Sequence, residues 1–245
     1  PSSPTRASSV QEGVRTARYL SWHGQSIWKT ELCWSEGKFT VDSTKNLKSC
    51  PPIELAAECF CALLADALGV ETPPCGIVYE QATPLFASID VQAPNLMQQF
   101  HIDPNAPGKA EIQALVAELV AWIGLGRLIA LDVLVRNSDR NPENLLTDGQ
   151  DYWAIDHGRT LEIDPLAPYE LHKIYRVIAG HANSLDCANV EASAISNALT
   201  FPTDCTLAAA AEMGNHALVA AFAQPFAQQV SARLPALASS IKGLL

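Results

Sequence analysis

The first third of the chain reads as short strands and turns, and the remainder runs in helical periods. SIWKTELCW and KFTVDST, within 19–48, are rich in aromatic and β-branched residues and are separated by SEG. They predict a hairpin with Gly37 in its turn. Pro51 and Pro52 then open IELAAECFCALLADALG, in which Leu55, Cys59, Leu63 and Ala67 recur every four residues. A helix over 52–68 follows, because proline is tolerated in a first helical turn and Gly69 suits the position just past the end. Glu54 lies in its first turn and Glu58 one turn later on a similar face. VETPPCGIVYE predicts a turn at Pro73 and Pro74 and then a strand, and LFASIDV a second strand. Pro94, Pro104 and Pro107 make the rest of 84–107 a connector that suits a hinge.

Residues 110–135 are strongly helical in pattern and nearly apolar all round, so burial is expected. Gly124-Leu125-Gly126 lacks a third glycine and a preceding strand, so it reads as close helix packing or a break between two helices. A short strand over 152–155 ends at Asp156, and helices are expected over 169–179, 190–198, 206–214 and 216–244. The order predicts an α+β fold. Residues 1–18 form a flexible lead-in, 19–106 a small β-rich N-lobe with one helix, and 107–245 a larger helical C-lobe, with a cleft between the lobes.

Composition narrows the ligand. Hydrophobic residues are 48% and charged residues 17% of 245, enough for a substantial core. The net charge of −10, with 16 scattered Lys and Arg, argues against nucleic acid and against anionic membrane. No apolar run reaches the roughly 20 residues of a membrane span. The start of the chain lacks the apolar core of a signal peptide. The seven cysteines form no CxxC pair and no zinc spacing, so reduced thiols in a cytoplasmic protein are expected.

The chemistry concentrates in 131–160, LDVLVRNSDRNPENLLTDGQDYWAIDHGRT. Asp139 is followed five residues later by Asn144 and then, at the end of an apolar strand, by Asp156. Phosphoryl transfer needs such a set. One carboxylate orients or deprotonates the attacking hydroxyl, while an amide oxygen and a second carboxylate hold Mg²⁺ on the ATP phosphates. Gly158 adds backbone freedom after Asp156. Asn, Ser, Asp and Pro also populate ordinary surface turns. The ordered series of buried helix, polar loop, short strand and IDHG is what favours a site. His157 reads as a brace for the loop, and His101 with Asp103 as a polar loop. No G-x-x-x-x-G-K-[ST] and no G-x-S-x-G occurs, which excludes a Walker-type NTPase and a serine hydrolase elbow.

NSDRNPENLL and YWAIDHGRTL resemble the catalytic segment of HipA-like kinases, particularly compact HipA-like proteins with an N-T-D-R-x-x-x-N-x-L loop and an I-D-H-G metal motif. Phosphoinositide kinases share the related D-R-x-x-x-N and I-D-x-G pattern. IELAAECFCALLADALGVETPPCGIVYE resembles the family's N-E-L-x-A-x-x-L-A-x-x-L-G segment and the strand after it. The resemblance covers 53–79 and 131–161. It implies a kinase-like two-lobed fold with ATP and Mg²⁺ as cofactors, and a protein Ser or Thr as acceptor. It implies Asp139 as the catalytic residue, Asn144 and Asp156 as metal ligands, and Glu54 as the partner of a phosphate-binding lysine. Arg140 would help phosphate binding or loop geometry. Relatives of this type include toxins of toxin–antitoxin systems, so an antitoxin or regulatory partner is implied by analogy.

The family's strand lysine is missing at its expected place, where KFTVDST carries Asp42. Lys29, Lys45 and Lys48 are the alternatives, and WHGQS, with His23, Gly24 and Ser26, is the only candidate phosphate loop. Two further readings therefore stand beside a protein kinase. One is a phosphoinositide kinase; the other is a pseudokinase that holds nucleotide or a partner without turnover.

Overall fold

The computed structural model describes residues 32–35, 38–41, 51–73, 75–80, 83–88, 91–137, 139–161 and 172–244. It is an α+β protein dominated by helices, with three two-stranded antiparallel sheets among the described residues. Strands β1 (Leu32–Ser35) and β2 (Lys38–Val41) pair as the expected hairpin. Lys29, Lys45, Lys48, the WHGQS stretch and the 1–18 lead-in lie outside the described residues.

Helix α1 (Pro52–Ala67) starts with proline at its first position and ends before Gly69, whose φ of +70° is the left-handed conformation expected there. Every residue from 55 to 65 is buried. The cause is its position between strands β3 (Cys75–Glu80) and β4 (Thr83–Ser88) on one side and helices α7 (Cys205–Gly214) and α8 (Ala220–Arg233) on another. Phe60 meets Phe226 edge-on at 5.7 Å. Each such fully buried large side chain contributes about 1.5–3 kcal/mol.

After β4, the one-turn helix α2 (Leu96–Gln99) is closed by a capping box between Asn95 and Gln98. The expected continuous helix over 110–135 is two helices, α3 (Lys109–Ala121) and α4 (Leu125–Val135), bent by 89°. Trp122 leaves the helical conformation and stacks on Tyr152 at 4.3 Å, and Gly124 passes so close that a Cβ there would lie 2.7 Å from the Trp122 ring. Gly126 lies against Ser193 of helix α6 (Ser184–Thr200), where a Cβ would lie 2.2 Å from the Ser193 hydroxyl. Both readings of the Gly-Leu-Gly stretch therefore hold, one at each glycine.

The expectation of burial all round fails for α3, where only Leu115, Val116 and Leu119 are buried. It holds for α4, where every residue but Arg127 is buried. Apolar content alone did not separate an edge helix from a central one. α4 is central because α6, α8 and the C-terminal helix α9 (Leu237–Leu244) surround it. Among the described residues no single helix is long and apolar enough to cross a membrane.

A 3-10 turn at Pro142–Asn144 leads into β5 (Leu145–Thr147), which pairs with β6 (Tyr152–Ala154). Helix α5 (Lys173–His181) starts later than the 169–179 expected, although 169–171 lie outside the described residues. The helix expected over 216–244 is broken. α8 ends at Arg233, a 3-10 turn holds Pro235, and α9 follows. A single hydrophobic cluster runs from α1 and the β3–β4 hairpin through α4 to α9.

Candidate functional site

The last turn of α4 delivers the loop. Arg136 ends the helix in the left-handed conformation (φ +54°), a position more often held by glycine or asparagine. Asn137 folds back, its backbone N–H donating to the Asp132 carbonyl at 2.8 Å and its side-chain amide to Asp132 Oδ1 at 3.0 Å. Its own side-chain oxygen accepts from the Asp139 N–H at 3.0 Å, a local turn that fixes Asp139.

Beneath this turn lies a polar cluster with no access to water. Asp132 and Arg140 have side chains 0% exposed, and Arg140 Nε donates to Asp132 Oδ2 at 3.1 Å. A guanidinium has five N–H donors. Those of Arg140 go to Asp132, to the carbonyls of Asn144 and Ile155, and to His157 Nε2 at 3.0 Å. None is left for a phosphate. Of the two roles expected for Arg140, phosphate binding and loop geometry, these bonds serve the second: as a brace, one buried cation ties α4, the 139–144 loop and the end of β6 together.

His172, which caps α5, places Nε2 3.0 Å from Asp132 Oδ2, and its Nδ1 accepts from the Tyr175 N–H. Burial would raise the Asp132 carboxyl, but Arg140 and the His172 hydrogen bond outweigh it and hold the group at about 2. Burial and the Arg140 charge push His157 down to about 3, so its ring is neutral and accepts from Arg140. The reading of His157 as a loop brace agrees with this geometry.

Above the brace, Asn144 ties the Asp139 turn to the strand end that leads into Asp156. The Asn144 side-chain amide donates to the Asp139 carbonyl at 3.1 Å, and Asn141 does the same at 3.1 Å. The Asn144 carbonyl accepts from the Ile155 N–H at 3.1 Å, which sets Asp156 next to it. Asp156 is half-buried and sits at φ +59°, a conformation that costs a non-glycine residue about 1 kcal/mol or more. Asp139 is 23% exposed and carries two cations: Lys173 Nζ at 2.6 Å from Oδ1 and Arg159 at 3.6 Å from Oδ2.

Helix α1 reaches the 156–158 loop through Glu58, and the candidate lysine partners of Glu54 lie outside the described residues. Glu58 is 2% exposed and its Oε2 accepts from the His157 N–H at 2.7 Å. Its other oxygen lies where a Cβ on Gly158 would approach to 3.0 Å, so the glycine admits the carboxylate. Glu54 stays half-buried in the first turn, one turn away from that loop. Thr160 donates to the His157 carbonyl at 2.6 Å and lies 3.1 Å from Cys61 Sγ, a thiol pushed up to about 12 by burial and therefore unreactive.

The metal ligands expected, Asn144 and Asp156, are hard oxygen donors. Among the described residues no group of three or more His, Cys, Asp or Glu is placed to hold a metal. That is no cage for a tightly held ion. A Mg²⁺ ion held by Asn144 and Asp156 would have to complete its shell with waters or phosphate oxygens. Asp103 serves a local turn, its Oδ1 accepting from the Asn105 N–H at 2.8 Å.

The residues that the sequence did not single out are Glu58, Asp132, Arg159, His172 and Lys173. Asp132 left a trace as the one acid inside an otherwise apolar helix, and Arg159 adjoins IDHG. The sequence matches no protein-family model, and no characterised protein matches it closely.

Proposed function

We propose that this chain is an ATP- and Mg²⁺-dependent phosphotransferase of HipA-like type that moves the γ-phosphoryl group to a Ser or Thr hydroxyl of a protein. The observation that carries the reading is that the Asn144 hydrogen bonds tie the Asp139 turn to Ile155, the residue before Asp156, over a buried brace. The finer fold in this reading is a kinase-like pair of lobes, with the site in the cleft between them.

In the reaction the acceptor oxygen bonds to Pγ and the bond to the β–γ bridging oxygen breaks, releasing ADP. Asp139 orients the hydroxyl and receives its proton. Lys173 and Arg159, both within 4 Å of that carboxylate, face the charge spread over the transferring group. Asn144 and Asp156 would hold Mg²⁺, which neutralises phosphate charge when bound. ATP is the nucleotide expected, and the lysine on its phosphates remains Lys29 or Lys45 in this proposal. The working place is the cytoplasm, with an antitoxin-type protein as the regulatory partner.

The deciding experiment is incubation with γ-labelled ATP and Mg²⁺ in an extract containing lipid, beside Asp139→Asn. Label entering protein only with intact Asp139 supports the reading. Label in the lipid phase would assign a phosphoinositide kinase. Mg·ATP binding without any transfer would assign a pseudokinase.

A further inference from the structure

We infer that the outer face of α5 binds an acidic segment of the acceptor protein, so that this enzyme selects hydroxyl residues with carboxylates about one and three or four positions away. The inference rests on the phosphotransfer reading above. α5, KIYRVIAGH, contains no acidic residue, in a chain of 26 acidic and 16 basic residues. It buries Ile174, Tyr175 and Ile178, and turns Lys173, Arg176, Val177 and His181 outward, where they line an open groove of about 390 Å³. Lys173 is held by Asp139 at 2.6 Å, so the groove begins at the carboxylate assigned to the acceptor hydroxyl. Arg176 and His181 are exposed, and among the described residues neither has an acidic partner. Two cations and an imidazole with Val177 between them suit a short anionic peptide, not a nucleobase or an apolar ligand.

The spacing sets the register. At 1.5 Å per residue, Arg176 lies about 4.5 Å and His181 about 12 Å along the helix from Lys173. An extended peptide covers about 3.3–3.6 Å per residue. A carboxylate reaching Arg176 therefore belongs to a residue about one place from the one over Asp139, and one reaching His181 to a residue about three or four places away.

The test uses the whole chain with two synthetic peptides. Each has one Ser, flanked one and three places to either side by Glu in one peptide and by Gln in the other. Binding by fluorescence anisotropy and transfer from Mg·ATP are measured for the unaltered protein, for Arg176→Glu, and for Lys242→Glu. Lys242→Glu is the same charge change on the exposed side of α9. The Glu peptide is expected to bind about tenfold tighter than the Gln peptide. That preference should vanish in Arg176→Glu and persist in Lys242→Glu. Equal or absent binding of the two peptides, or a preference that survives Arg176→Glu, overturns the inference. Transfer to Ser without a charge preference removes the acidic groove and leaves the phosphotransfer reading standing. A charge preference in binding without any transfer does the reverse.

Discussion

Asp132 and Asp139 lie seven residues apart, and each faces a cationic side chain, yet the two pairings do different work. Asp132 is fully buried with Arg140 and His172; Asp139 is partly exposed between Lys173 and Arg159. A pair taken out of water is held at full strength and locks three chain segments. Breaking it leaves a charge with no solvent to receive it. A pair at the surface is screened, so its cations can exchange one anion for another at small cost. The lower cluster holds the loop in place, and the upper one is left open to exchange its partners.

The strongest way to break this contrast is at Asp132. Asp132→Asn leaves the Arg140 guanidinium buried beside a neutral amide, and should cost about 3–5 kcal/mol in denaturant unfolding. Arg140→Lys should cost a comparable amount, because an ammonium has three donors and cannot reach Asp132, two carbonyls and His157 together. If either variant unfolds at the same denaturant concentration as the parent, the brace is not what holds the loop.

Acid sharpens the same contrast. A buried neutral His157 with its pKa lowered from 6.5 to about 3 leaves the unfolded chain binding more protons between those values. Stability must then fall as pH falls from 6.5 toward 3, by up to about 1.4 kcal/mol per pH unit. Asp132, lowered from 3.8 to about 2, contributes stability that is present above 3.8 and lost only as pH falls through 2. Urea melts at pH 7, 6, 5 and 4 should show the decline setting in near 6.5, and His157→Gln should flatten it. An unchanged slope in that variant would mean another group carries the acid sensitivity.

The next effect is smaller and separates two carboxylates on one helix. Glu58→Gln keeps an oxygen for the His157 N–H but makes it a weaker, neutral acceptor and buries two new N–H groups near Gly158, for about 1–2 kcal/mol. Glu54→Gln, half-buried in the first turn, should stay within about 0.5 kcal/mol. Equal melting temperatures for the two would remove the distinction between them.

The contact that Glu58 makes also marks where sequence reasoning reached its limit. The bounds of α1 were legible, because Pro52 and Gly69 act through their own backbone chemistry. The strand before Asp156 and the turn that presents Asp139 were legible for the same local reason. Two acids four residues apart share a helical face, and only the packing of α1 decides which turn meets the 156–158 loop. Arg140 posed the same difficulty. A DR dipeptide does not say whether the guanidinium points to a phosphate or inward, and here five inward acceptors decide it. Lys173 was out of reach too, because it approaches Asp139 across 34 residues of chain.

At the upper pair the expected change in stability is the smallest and the change in chemistry the largest. Asp139→Asn removes an ion pair that is 23% exposed on the acid and 40% on Lys173, so unfolding should shift by less than about 1 kcal/mol. The asparagine keeps the side-chain volume, and the Asp139 carbonyl that Asn141 and Asn144 bond to is untouched. In the proposed reaction the substitution removes the oxygen assigned to the acceptor hydroxyl, and it should lower kcat by about 10²–10⁴-fold while Mg·ATP still stabilises the protein against heat. A variant that melts several degrees lower would place Asp139 with Asp132 among the residues that hold the fold. One that keeps its turnover would remove the carboxylate from the reaction. Retained stability with lost transfer is the outcome that fits a rigid buried pair supporting a reactive exposed one.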